Sequence, residues 1–318
     1  MKRRDFVKVA GATPLLAYFP PDLSMIGREF SKGKLEKRTL GRTGEKLSIL
    51  GFGGVVVMDA TTDEASQRVS QAIDYGVNYF DVAPSYGNAE IKLGPALKPY
   101  RKKVFLACKT QGRTREAAAK ELEQSQKHLE TDHFDLYQHH AVTKIEDVDT
   151  ILGPGGAMEA FVEAKKAGKI RFIGFSAHSV EAALKLMDGY EFDTILFPVN
   201  FTTWNAGNFG PQVLEKARQK GMGILALKAM AKKPWDEGEE NKIPKCWYEP
   251  LTDPEEARLA LRFTLSHPIT AAIPPGNENL FSMALGLAAN FKPLEPDELE
   301  MIRKKGQAGT PIFTYPMS

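Results

Sequence analysis

VNYFDVAPSYGNAEIKLGPAL, residues 77–97, decides how the rest of the chain is read. Residues 78–82 are a short apolar run of β-forming residues. Residues 83–88 are a turn carrying Pro, Ser and Gly. Residues 89–97 bring apolar side chains back every three or four positions, as a helix buried along one face does. The run ends on Asp81, and a carboxylate at a strand end is costly to bury without a partner. Tyr86 follows in the turn.

This strand–turn–helix unit recurs along the chain. Strands are predicted at 47–53, 78–82, 104–109, 134–139, 172–175, 194–199, 223–227 and 271–273. Helices are predicted at 63–75, 89–97, 114–129, 154–167, 180–187, 211–220, 254–265 and 280–289, with Asp63 as an N-cap. Regular alternation makes the chain α/β with a parallel sheet. Its repeat count and length fit a closed (β/α)8 barrel, the TIM barrel, as a single domain over 33–318. An open doubly wound sheet would want a glycine-rich phosphate turn after the first strand. GFGGVV (51–56) has Val56 where the third glycine belongs. The irregular stretch 231–252 follows the seventh strand and is expected to be a functional loop on the C-terminal face. A terminal helix is expected over 294–307, capped by Asp297, covering the barrel or taking part in a subunit contact.

Composition narrows the partners. The chain has 318 residues, 42% hydrophobic and 26% charged, with a net charge of +2, which is ordinary for a soluble globular protein. It carries no basic stripe with interleaved aromatics, so no nucleic-acid partner is expected. Cys108 and Cys246 are too few for a disulfide framework or a zinc knuckle. They read as buried free thiols, with a single bridge between them as the alternative in an oxidising compartment, and no metal site is expected. The N-terminus, MKRRDFVKVAGATPLLAYFPP, resembles a bacterial twin-arginine export signal: paired Arg3 and Arg4, then Phe6 and Lys8, then an apolar run over 9–19. That run is shorter than the about 20 residues a membrane-spanning helix needs. Residues 1–32 are accordingly set aside as export signal and linker. The export machinery is then a partner and the periplasm the destination; the protein stays cytoplasmic if the signal is not used.

Barrel enzymes build their sites at the C-terminal ends of strands. The polar residues there are Asp81 and Tyr86, Lys109, His139 and His140, and Ser176 and His178. Burial disfavours an ammonium, so Lys109 needs a counter-ion. Asp81, on the neighbouring strand, supplies one. The ammonium would in turn lower the pKa of the Tyr86 phenol, making it a proton donor to a developing alkoxide. His140 is placed to orient a carbonyl or to share the proton. His139, its neighbour along the strand, faces the other way and reads as a packed residue. Trp204, Trp235 and Trp247 fall in loops, where they line a substrate pocket or pack the loops down.

At these residues the chain resembles the aldo/keto reductase family. The D-x-A-x-x-Y-G-N-x-E pattern runs from Asp81 to Glu90, the K-T strand end is Lys109-Thr110, and D-L-Y-x-x-H runs from Asp135 to His140. The opening LGRTGEKLSILGFGG (40–54) is also similar, and the resemblance extends from 35 to about 290. It implies a catalytic tetrad of Asp81, Tyr86, Lys109 and His140. It implies NADP(H) or NAD(H) bound across the barrel mouth, and a small-molecule carbonyl or alcohol as substrate. Hydride would pass to the carbonyl carbon and a proton from Tyr86 to its oxygen. Cofactor contacts carry over to Gly53, Ser176, Asn200, Leu227, Lys228, Gly276 and Asn279. Ala177, Pro198 and Leu227 stand where the family usually has Asn, Gln and an aromatic residue. After the eighth strand no Arg or Lys occurs until Lys292, which leaves the choice between NADP(H) and NAD(H) open. A cofactor-binding accessory or sensor protein with little turnover is the alternative.

Overall fold

The computed structural model describes residues 34–240 and 242–316. The export-signal reading of 1–32 lies outside them. A hairpin comes first, β1 (Lys37–Thr39) pairing with β2 (Lys46–Ser48). The barrel strands are β3 (Phe52–Gly53), β4 (Tyr79–Asp81), β5 (Phe105–Thr110), β6 (Phe134–Val142), β7 (Ile170–Ala177), β8 (Thr194–Pro198), β9 (Gly223–Leu227) and, after a ribbon of β10 (Ala231–Lys233) and β11 (Glu249–Pro250), β12 (Ala271–Ile273). All eight lie parallel in chain order. The last meets the first: Gly51 donates to the Ala272 carbonyl at 2.9 Å, and Ala272 donates to that of Ile49 at 2.9 Å. The sheet is the expected (β/α)8 barrel.

Two apolar layers hold it. Inside the barrel, Tyr79, Phe105, Leu136, Leu196, Leu225 and Ala271 pack together, and the hairpin contributes Leu40 and Leu47 to the same cluster. The larger layer lies between the strands and the surrounding helices: α1 (Thr62–Asp74), α2 (Ala89–Leu97), α3 (Arg115–His128), α4 (Ile145–Leu152), α5 (Ala157–Lys166), α6 (Val180–Gly189), α7 (Phe201–Asn205), α8 (Pro211–Gln219), α9 (Pro254–Ser266), α10 (Glu278–Ala289) and α11 (Pro296–Ala308). Alternation along β6 shows the division: Leu136 faces in, while its neighbour Tyr137 faces the helices.

Several expectations need correcting. The run 47–53 is two strands, because the Ser48 hydroxyl donates to the Leu50 carbonyl at 2.7 Å and breaks the extension there. Helix 154–167 begins at Ala157, behind a turn of Gly153, Gly155 and Gly156, and α4 precedes it where no helix was expected. The cap of α1 is Thr61 in a capping box with Glu64, which puts Asp63 inside the first turn. Likewise α11 is capped by Glu295 rather than Asp297, with Pro296 opening the helix. It lies back on the barrel helices, where Arg262 of α9 grips Glu298 through two hydrogen bonds of 2.5 and 2.7 Å.

Candidate active site

Lys109 is wholly buried and Asp81 is 2% exposed. The three N–H donors of Lys109 are all placed. One goes to Asp81 Oδ1, one to the Tyr86 hydroxyl at 3.2 Å and one to the Val82 carbonyl at 3.4 Å. The other carboxylate oxygen, Oδ2, accepts from the Tyr79 hydroxyl at 3.1 Å and from Gln138 Nε2 at 3.0 Å. This is the hydrogen-bonded, paired arrangement a buried ion pair requires. Burial opposes the Lys109 charge, but Asp81 and then Tyr86 outweigh it, so the ammonium is held above its ordinary pKa. Sequence reasoning missed Tyr79 and Gln138. The signal was available in period two: Gln138 shares the inward face of β6 with Leu136 and His140.

Tyr86 reaches the ammonium from a turn pinned at both ends. Gly87 has φ +57°, a left-handed conformation that favours glycine. Asn88 Oδ1 accepts from the backbone of Asp59 at 2.8 Å. The direction of the Tyr86 shift corrects the sequence expectation. Burial raises its pKa, Lys109 pulls it down, Asp81 pushes it up again, and the net result is above the ordinary value. The phenol is therefore neutral.

His140 stands edge-on to the Tyr86 ring, with centroids 5.6 Å apart and planes at 85°. Its Nδ1 lies 3.2 Å from the Ser85 hydroxyl. Among the described residues, Nε2 has no protein partner. Burial, then the charges of Lys109, His178, Arg113 and Lys228, push its pKa down to about 2, so it is neutral imidazole. A bulge in β6 between His139 and Val142 aims it. Arg113 donates to the His140 carbonyl at 2.9 Å, Ala141 has φ +50°, and the Ala141 N–H donates to Ser176 Oγ at 2.8 Å. His139 points to the helices and stacks on Phe161 with centroids 4.0 Å apart.

A family model for the aldo/keto reductase family matches residues 50–250. The chain belongs to the aldo/keto reductase family. It is 26% identical to L-galactose dehydrogenase of Arabidopsis thaliana, over 62% of this chain and 66% of that one. It is 24% identical to the uncharacterized oxidoreductase YqkF of Bacillus subtilis, over 85% and 96%, and 32% identical to the aldo-keto reductase YhdN of the same organism, over 46% and 48%. The match thus spans just under two thirds of the first relative and about half of the third. A solved aldo-keto reductase from Bacillus halodurans superposes with a TM-score of 0.68 at 22% identity, covering 87% of this chain and 98% of that one. That likeness speaks to the fold.

Aldo/keto reductases use NAD(P)(H), and Gly53 and Gly276 lie at the rim where such a molecule would sit. Gly53 pairs with Asp81 at the mouth, and a Cβ on it would meet Ile273 Cγ2 at 3.0 Å. A Cβ at Gly276 would meet Val55 Cγ1 at 2.3 Å, so the turn after β12 and the loop after β3 touch backbone to side chain. Ser176 is buried, accepts from Ala141 and keeps its own hydroxyl proton. Leu227 packs half-buried on the inner cluster. Asn279 sits in the first turn of α10, behind the Asn277 cap. The Asn200 amide is fully occupied. Its Oδ1 accepts from Thr202 at 2.9 Å and Thr203 at 3.1 Å, and its Nδ2 donates to the carbonyls of Lys228 at 3.1 Å and Ala231 at 2.8 Å.

The cations missing from the sequence after β12 arrive from elsewhere. Lys245, in the excursion between β10 and β11, reaches Glu278 at 3.3 Å. Arg68 of α1 approaches the same carboxylate at 3.9 Å. Lys292 lies past the far end of α10. The tryptophans separate too. Trp204 packs on His267 with centroids 4.3 Å apart, and Trp235 donates to the Cys246 carbonyl at 2.9 Å to fold the excursion. Trp247 alone of the three is strongly exposed, at 54%. Cys108 and Cys246 are both free and buried.

Proposed function

We propose that this aldo/keto reductase interconverts a small aldehyde or ketone and its alcohol with NADP(H) or NAD(H), Tyr86 supplying or removing the proton. One observation carries the reading. Lys109 spends its donors on Asp81, Val82 and the Tyr86 oxygen. A lysine ammonium can only donate, so the Tyr86 oxygen accepts and its own proton is free to point into the mouth. When that proton leaves, the ammonium beside it stabilises the phenolate left behind. Asp81, fixed by Tyr79 and Gln138, keeps Lys109 charged and in place. His140 stays neutral. With the Ser85 hydroxyl donating to Nδ1, its Nε2 carries the proton and donates to the substrate oxygen, orienting the carbonyl beside Tyr86.

When bound, the nicotinamide supplies or accepts the hydride. Gly53, Ser176, Leu227, Gly276 and Asn279 would hold the cofactor, with the head of α10, Lys245 and Arg68 at its phosphate end. Asn200 shapes the loop beneath it. The test is to titrate the protein with NADPH and NADH by tryptophan quenching, then to offer a carbonyl panel. Binding of either, followed by its oxidation with matching alcohol, is expected. Tight binding without turnover of any carbonyl would favour an accessory role. The paired arginines near the N-terminus support export to the periplasm through the twin-arginine pathway. Cell fractionation of the full chain against an Arg3→Lys/Arg4→Lys variant tests this: the wild type is expected in the periplasm and the variant in the cytoplasm.

A further inference from the structure

Lys228 is the other lysine at the mouth, and among the described residues no carboxylate pairs with it. It stands just past β9 with φ +66°, a conformation that side-chain-bearing residues rarely hold. Two hydrogen bonds fix it there, from Asn200 Nδ2 at 3.1 Å and from the Ala231 N–H at 2.9 Å, both to its carbonyl. The side chain then runs between two aromatic rings. Its Nζ is 4.6 Å from the centroid of Trp247 and 5.1 Å from that of Tyr248. Among the described residues no carboxylate and no carbonyl takes a hydrogen bond from that nitrogen. Lys109 is the contrast, with every donor placed and Asp81 against it.

The surroundings make the vacant charge consequential. His140 and His178 are both held neutral, at about 2 and about 3, burial being the larger cause and the Lys228 charge a further one. Burial lowers Lys228 itself to about 8, opposed by Cys246 and reinforced by Lys109. An amine desolvated this far gains strongly from an anion, through a charge-assisted hydrogen bond. The wall beside it is aromatic: Phe313 lies 5.8 Å from Trp247 and stacks on His178 at 5.2 Å. A planar apolar body would lie there.

We infer that Lys228 receives a carboxylate borne by the carbonyl substrate, whose apolar body rests against Trp247 and Phe313. The inference rests on the carbonyl-reducing reading of the site. One unmatched positive charge suits a monoanion, and a strained backbone clamped by a buried amide suits a side chain that must be aimed.

The experiment compares 4-carboxybenzaldehyde with benzaldehyde, in wild type and Lys228→Met, using whichever cofactor binds. The variant is expected to lose about ten- to hundredfold more kcat/KM on the carboxylated aldehyde than on the neutral one, chiefly through KM. Equal losses on both aldehydes overturn the proposal. So does weaker NAD(P)H binding in the variant with an unchanged aldehyde ratio, which would put Lys228 on the cofactor's phosphates. Absence of all turnover would strike the carbonyl reading instead. The anion site is then judged by tryptophan quenching with benzoate against its neutral isostere benzamide. Quenching by benzoate alone, lost in Lys228→Met, supports it; equal quenching by both, or none, overturns it.

Discussion

Lys109 is a fully buried charge, and its stability rests on Asp81. Removing one member of a buried pair strands the other, at a cost of about 3–5 kcal/mol. Lys109→Met is therefore expected to be destabilised by that order in urea unfolding. Asp81→Asn/Lys109→Met should recover part of the loss despite carrying an additional change. Acid–base behaviour follows from the same burial. Reduction needs the Tyr86 proton, so its rate is present below the phenol pKa and lost above it. That pKa is raised above the ordinary phenol value, so kcat/KM for a neutral aldehyde should hold through the ordinary phenol range and fall only above it. His140, held near 2, contributes no limb around neutrality. A pH profile with an ionisation near 6.5 would contradict this. The four polar residues of the site were legible in the sequence because Asp81, Lys109 and His140 lie toward the C-terminal ends of strands and Tyr86 follows in the turn after Asp81. The sign of the Tyr86 shift was not, since it depends on how burial weighs against Lys109. Gln138 was also missed, reading as one more polar residue beside two histidines.

β6 is the element that aims the site. Its bulge turns His140 inward, and Arg113 locks it from outside by bonding the His140 carbonyl at 2.9 Å and Asp147 at 3.1 Å. Arg113→Met removes that bond without touching the substrate. A charged hydrogen bond contributes roughly 1.5–3 kcal/mol, so kcat is expected to fall about tenfold with cofactor affinity kept, as steady-state kinetics and quenching would show. Strands and most helices follow from alternation and periodicity. The exceptions have local causes: glycines that delay the start of a helix, a threonine rather than an aspartate at a cap, and an excursion after β9 that Trp235 folds into a ribbon. The cations at the head of α10 are not local in sequence: Arg68 comes from α1 and Lys245 from the excursion.

The whole molecule divides its two ends between stability and chemistry, as barrels do. At the N-terminal end Asp135 accepts from the Leu106 N–H at 2.8 Å, from Arg101 at 3.2 Å and from Arg171 at 2.7 Å. Asp135→Ala leaves these donors without it. A loss of about 1–3 kcal/mol is expected in urea unfolding, with kcat/KM unchanged because the site lies at the other end of β6. The barrel as a whole was readable because its repeat is regular. The hairpin that places Leu40 and Leu47 in its interior was not, because it lies outside that repeat.

The central claim is that Tyr86 moves the proton. The most direct measurement is the rate of NAD(P)H oxidation with an aldehyde, in wild type and Tyr86→Phe, together with cofactor affinity in each. General-acid catalysis contributes about 10²–10⁴-fold. The expected result is a loss of that order in kcat with cofactor binding retained. A Tyr86→Phe protein that reduces the aldehyde as fast as wild type would contradict it.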